Sequence, residues 1–166
     1  SIRREGSQEV EKKATTTTAK GGATTEPTTR TTRGVTDTTI KVGGLVYDTY
    51  YGDARVGVEA RLKLANDDGG VHGRKIEVVG IENDNNESTK GAEITQRLVE
   101  QEGVFALLPV LSGQFGGGDF IVQNNIPTFG WGTHPAFCGK TIAFGFTGCV
   151  TNPNLKVGSN ALGTVL

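Results

Sequence analysis

The chain has 166 residues, and its 17 basic and 18 acidic side chains leave a net charge of −1. That balance gives no broad electrostatic reason to expect nucleic acid or an anionic membrane surface as a partner. No run reaches the roughly 18 to 20 apolar residues needed to cross a bilayer, and the N-terminus lacks both an initiator Met and a hydrophobic signal core. The 25 glycines exceed the usual share of about 7% and cluster at segment junctions, as in an α/β chain with many tight strand-to-helix turns.

Residues 1–38 carry a threonine run at 15–18, threonine pairs at 24–25, 28–29 and 31–32, Pro27, a Gly21-Gly22 pair and almost nothing apolar. Such a stretch cannot bury enough surface to offset chain entropy, which predicts a disordered tether. The composition suits an extended stalk open to glycosylation; an unselected floppy end is the plain alternative.

Ordered patterning begins with the β-rich run 40–46, read as the first strand, which ends in the aromatic loop 47–52. Over residues 53–66, Val58, Leu62 and Ala65 recur at helical spacing, with Asp53 as N-cap and Asp67-Asp68-Gly69-Gly70 as the stop. Residues 75–81 alternate like a strand, followed by the polar loop 82–88. A second helix then shows one apolar face of Gly91, Ile94, Thr95, Leu98 and Val99 and stops at Gly103.

The near-continuous apolar run 104–108 has the pattern of a central parallel strand covered on both faces. A short third helix is predicted over 117–124, a fourth strand over 126–130 with Pro127 near its start, and another strand over 142–146. The last stretch reads as a helix starting near Pro153 and running to Leu166 without a stop signal, as in a truncated chain. Alternating strands and helices imply an α/β fold, a three-layer doubly wound, mostly parallel sheet with right-handed crossovers.

Cys138 and Cys149 are too widely spaced for a redox CxxC and lack the Cys or His neighbours of a structural zinc site. A local disulfide suits an extracytoplasmic compartment; two buried thiols are the alternative.

In an open parallel sheet, small ligands bind beyond the carboxyl ends of the strands. The loops to read are therefore 47–53, 82–88, 109–114 and 131–135. Ser112 and Thr133 carry hydroxyls that both donate and accept, and Gly113 and Gly132 allow close approach to the backbone, with Gln114 beside them. Together they suit the carboxylate and ammonium of an amino-acid headgroup. Tyr51 and Trp131 offer flat walls with a polar handle. Each also has a structural reading, as a cap for the hydroxyls and as core packing for the rings.

Catalytic signatures are absent. The first strand carries Gly43-Gly44 without the third glycine and spacing of a dinucleotide site, Gly116-Gly117-Gly118 lacks the Lys-Ser/Thr pair of a phosphate loop, and no GxSxG nucleophile motif occurs. His72 and His134 stand alone, and the acidic loop 82–87 lacks the spacing of a calcium-binding EF-hand. The reading assigns no cofactor, no metal and no enzymatic activity.

The string Ala65-Asn66-Asp67-Asp68-Gly69-Gly70-Val71-His72-Gly73-Arg74-Lys75-Ile76-Glu77 resembles the turn from first helix to second strand in the branched-chain amino-acid (Leu/Ile/Val-type) solute-binding proteins of ABC importers. Tyr51-Gly52-Asp53 and Gly132-Thr133-His134-Pro135 resemble that family's ligand loops, and the likeness runs from residue 40 to the end. The loop at 109–114 is shorter than the family's serine-rich loop and keeps only Ser112.

The resemblance implies a type I periplasmic-binding-protein fold, with residues 39–147 as ligand-binding lobe one and 148–166 as the crossover to a second lobe. It implies a Venus-flytrap that binds a branched-chain amino acid or similar small amino-acid or amide solute in an inter-lobe cleft and delivers it to ABC permease subunits. The expected protein is extracytoplasmic, tethered as a lipoprotein by an N-terminal lipid anchor, monomeric when full length, and without a nucleic-acid partner. A receptor with the same sensing domain is the first alternative, and an α/β enzyme using Glu82 or Asp84 the second.

Overall fold

A computed structural model of the protein describes residues 31–139 and 141–150. The predicted tether up to residue 30 and the predicted C-terminal helix lie outside these residues. Five parallel strands form one sheet in the order β2-β1-β3-β4-β5. They are β1 (Thr39–Val46), β2 (Lys75–Asn83), β3 (Ala106–Leu111), β4 (Thr128–Gly130) and β5 (Ala143–Gly145). The helices are α1 (Asp48–Tyr51), α2 (Ala54–Asp67), α3 (Ser88–Glu100) and α4 (Gly118–Gln123), with a 3-10 turn at Pro135–Phe137.

The strand order fixes the layers. From β1 the chain crosses outward to β2, then returns over β1 to β3 and continues the same way to β4 and β5. Right-handed crossovers in opposite directions place α2 on one face and α3 and α4 on the other. The α3 face holds the core, where Leu98 and Ile94 pack with Leu45, Leu107, Val110, Ile121 and Ile126. Glycine serves this packing in β1: a Cβ on Gly43 would stand 2.9 Å from the Leu98 side chain, and one on Gly44 2.5 Å from the Pro109 carbonyl oxygen.

Three local expectations change. The segment at 109–111 belongs to β3 rather than to the following loop. Proline lacks the N–H a regular ladder needs, and Pro109 sits where the register with both neighbouring strands shifts, so the strand continues past it. Strand β2 also runs two residues further than the alternation suggests, because Glu82 and Asn83 pair with Leu45 and Val46. Residues 48–51, read as loop, close one short helical turn.

Composition assigns residues 33–38 to the tether, yet they are tied to the domain. Val35 bridges Ile40, the Lys41 N–H donates to the Gly34 carbonyl at 2.7 Å, and Arg33 Nε donates to the Val104 carbonyl at 2.7 Å. Hydrogen bonds that need no apolar side chain hold this segment, and composition does not register them.

Candidate functional site

The carboxyl ends of four strands converge and are laced together by backbone bonds. The Tyr47 N–H just past β1 donates to the Leu111 carbonyl at 2.9 Å, the Trp131 N–H past β4 donates to the Val110 carbonyl at 2.8 Å, and the Asp84 N–H past β2 donates to the Val46 carbonyl at 3.1 Å. These bonds set the loops side by side and leave an open pocket of about 320 Å³ lined by Tyr47, Tyr50, Tyr51, Asn86, Gly113 and Trp131. Its size falls within the range of small-molecule sites.

The aromatic wall is continuous. Tyr47 meets Tyr50 edge-on with ring centroids 5.3 Å apart, Tyr50 lies 6.3 Å from Tyr51, and Tyr51 meets Trp131 edge-on at 5.3 Å. The helical turn α1 makes this possible by placing Tyr50 and Tyr51 on successive positions above the sheet. Its orientation is held by Arg55 of α2, which pairs with Asp48 at 2.5 Å and donates from Nε to the Ile81 carbonyl at 2.9 Å.

Asn86 reaches the pocket through an unusual backbone. Asn85 and Asn86 both take positive φ, 55° and 60°, a conformation asparagine tolerates better than most residues. The Asn86 N–H donates to Asp84 Oδ1 at 2.9 Å and the Asn85 N–H to Asn83 Oδ1 at 2.9 Å, so two side-chain acceptors brace the turn. Asp84 is fully buried, and its Oδ2 and Asn86 Oδ1 have no hydrogen-bond partner among the described residues.

Of the residues singled out in the sequence, Tyr51, Gly113 and Trp131 line this pocket. Ser112 and Thr133 stand behind it and bind one loop to the other. Ser112 is fully buried, its Oγ accepts the Gln114 N–H at 3.1 Å, and its carbonyl accepts the Thr133 hydroxyl at 2.7 Å. The Thr133 proton is thereby used within the protein. Gln114 itself is exposed and supplies only its backbone to this arrangement.

Gly132 was expected to admit a ligand; the Gly148 carbonyl packs there instead. The Gly132 N–H donates to Thr147 Oγ1 at 3.1 Å, and its carbonyl accepts the Val150 N–H at 2.9 Å. The Cys138–Cys149 disulfide, spanning 11 positions, secures the same junction. His134 is a structural cap, its Nδ1 accepting the Ala136 N–H at 3.0 Å.

Tyr47, Tyr50 and Asn86 were not singled out from the sequence. Their signal was the spacing of three tyrosines directly after a strand, and an Asn-Asn pair where a β-strand must turn sharply into a helix.

A parallel α/β sheet with an open pocket at its carboxyl edge and α2 and α3 on opposite faces is the architecture of a type I periplasmic-binding-protein lobe. The periplasmic binding protein family matches residues 39–157, well over half of the chain, and the protein belongs to that family.

Two solved structures, those with TM-scores of 0.53 and 0.52, share the fold. The fatty acid ABC transporter substrate-binding protein from Thermomonospora curvata is 26% identical over 67% of this chain and 30% of its own, with a TM-score of 0.53. A possible leucine/isoleucine/valine-binding protein from Rhodopirellula baltica is 18% identical over 57% of this chain and 28% of its own, with a TM-score of 0.52. The branched-chain amino acid transporter substrate binding protein from Streptococcus pneumoniae, solved with isoleucine, is 25% identical over 55% of this chain and 28% of its own, with a TM-score of 0.49. The chain thus spans less than a third of the length of these relatives and forms part of one lobe. A comparison with curated proteins finds no match.

Proposed function

We propose that the chain is the first ligand-binding lobe of an extracytoplasmic solute-binding protein that serves an ABC importer. Residues 39–147 form the lobe in this reading, and 148–166 begin the passage to a second lobe. The observation that carries it is the pocket of Tyr51, Gly113 and Trp131 at the carboxyl edge of the sheet, within the stretch that matches the periplasmic binding protein family. The function is binding rather than catalysis.

The solute is a small amino-acid-like or amide molecule held between two lobes. Ligand touching both lobes favours the closed state by its differential affinity for that state, and the closed form is the one the permease subunits receive. A lipid anchor ahead of the threonine-rich head would keep the protein at the membrane face. The fatty acid name of the Thermomonospora curvata relative widens the solute class that deserves testing toward apolar acids.

The test is a thermal-shift screen of the complete protein against amino acids, amides and small carboxylic acids, with small-angle scattering on any hit. A binding solute is expected to raise the melting temperature in a concentration-dependent way and to reduce the radius of gyration. Solute binding without any compaction would overturn the two-lobe mechanism.

A further inference from the structure

Resting on the solute-binding reading, we infer that the solute presents an aromatic ring to this lobe, received by the box of Tyr47, Tyr50, Tyr51 and Trp131. Four of the six pocket-lining residues are aromatic, and the other two are Asn86 and Gly113. None of the six carries a charge, so the lining holds no cation for a carboxylate and no anion for an ammonium. Beside it, Asp48 of α1 and Arg55 of α2 neutralise one another at 2.5 Å. Neither hydroxyl suited to a headgroup belongs to the lining: Ser112 is fully buried, and the half-buried Thr133 commits its proton to the Ser112 carbonyl. Apart from the amide of Asn86, whose Oδ1 is unpartnered among the described residues, the lining's side chains offer recognition of the solute's body, and the body must suit the rings.

Their arrangement selects among apolar bodies. The Tyr47–Tyr50 and Tyr51–Trp131 pairs have interplanar angles of 74° and 68°, with centroids at 5.3 Å in both. Aromatic quadrupoles favour such edge-to-face contacts, and a further ring entering the box extends the pattern at centroid spacings of about 4.5 to 7 Å. An aliphatic chain of equal size gains the same buried area without the quadrupole term. Two such ring contacts predict a preference of about tenfold or more for the aromatic solute. Tyr50 is 75% exposed despite being a large ring, so this wall is not packed into the core and is available to a ligand.

The experiment uses the complete protein and pairs of solutes matched in headgroup: phenylalanine against leucine, and benzoate against hexanoate, with choline as a cation probe. Binding is read by calorimetry and by emission from Trp131, the one tryptophan in the sequence, taken as the difference between wild type and Trp131→Phe. The expected result is binding of the aromatic member at least about tenfold tighter than its aliphatic match, with a change in Trp131 emission. Tyr50→Ala should cut that ratio several-fold, and Leu64→Ala on the exposed side of α2 should leave it unchanged. Equal or tighter binding of leucine, hexanoate or choline would overturn the aromatic assignment while leaving the solute-binding reading standing. An absence of binding by all five solutes and by every compound of the wider screen would sink both.

Discussion

Helices α3 and α2 flank the same sheet, and both carry apolar residues at helical spacing: Gly91, Ile94, Thr95, Leu98 and Val99 in one, Val58, Leu62 and Ala65 in the other. All five of the first set are buried, whereas Val58, Leu62 and Ala65 of α2 are only half-buried. The difference lies in what stands opposite. Against α3 the chain brings α4, the 3-10 turn and the core-facing residues of β1 and β3, which share one cluster with Leu98. Against α2 it brings the edge strand β2 and the flank of β3 at Leu108, while Phe129 and Phe144 further along that face stack on each other at 5.0 Å and remain 42% and 50% exposed. Amphipathic spacing therefore says which side of a helix turns inward. Burial depends on whether enough chain returns to cover it.

The largest expected effect tests this contrast directly. Leu98→Ala removes a side chain at 1% exposure from the centre of the cluster, and is expected to lower unfolding free energy by about 2 to 5 kcal/mol in denaturant titration. Leu64→Ala on α2 makes the same chemical change at 55% exposure and should stay within about 0.5 kcal/mol. Similar losses at the two positions would break the comparison.

Next in size is the disulfide. Residues 146–150 are mostly exposed, with Phe146 at 73%, so a covalent tie acts there where burial does not. Reducing the Cys138–Cys149 bond, which spans 11 positions, should lower stability by roughly 2 to 3 kcal/mol on the loop-entropy account. The measurement is the denaturant midpoint with and without reductant, with Cys138→Ser/Cys149→Ser as the matching variant.

A smaller effect of opposite sign belongs to α2. Gly57 lies inside this helix, and a Cβ there would meet nothing within 4 Å. Gly57→Ala should stabilise by about 0.5 to 1 kcal/mol, since it removes unfolded-state freedom without a clash. Gly44→Ala on β1 gives the opposite case, because its Cβ would stand 2.5 Å from the Pro109 carbonyl oxygen. That variant should be destabilised in the same titration, by about 1 to 3 kcal/mol.

The smallest expected effect is electrostatic. Lys63 and Asp67 pair at 2.6 Å on the exposed side of α2, one helical turn apart. Replacing Lys63 with Gln should cost no more than about 0.5 kcal/mol and less at high salt. A larger loss would mean that α2 depends on its surface more than its position suggests.

The sequence by itself determined the alternation of strands and helices, the parallel α/β class and the inward face of α3. Each of these rests on short-range chemistry, where side-chain period matches backbone period and glycine or proline marks a turn. It also made the strand-end loops the place to look for a site, and Tyr51, Gly113 and Trp131 come from those loops.

Only the tertiary structure decided which loop residues meet. Tyr47, Tyr50 and Asn86 join them because backbone bonds between strand ends set four separate loops in register, and Ser112, Thr133 and Gly132 are turned to internal bonds by that same lacing. Pro109 continues β3 because the register shifts around it, and the apolar stripe of α2 stays half-buried because, among the described residues, little chain returns to its face. Such outcomes depend on partners distant in sequence, and no local pattern encodes where those partners lie.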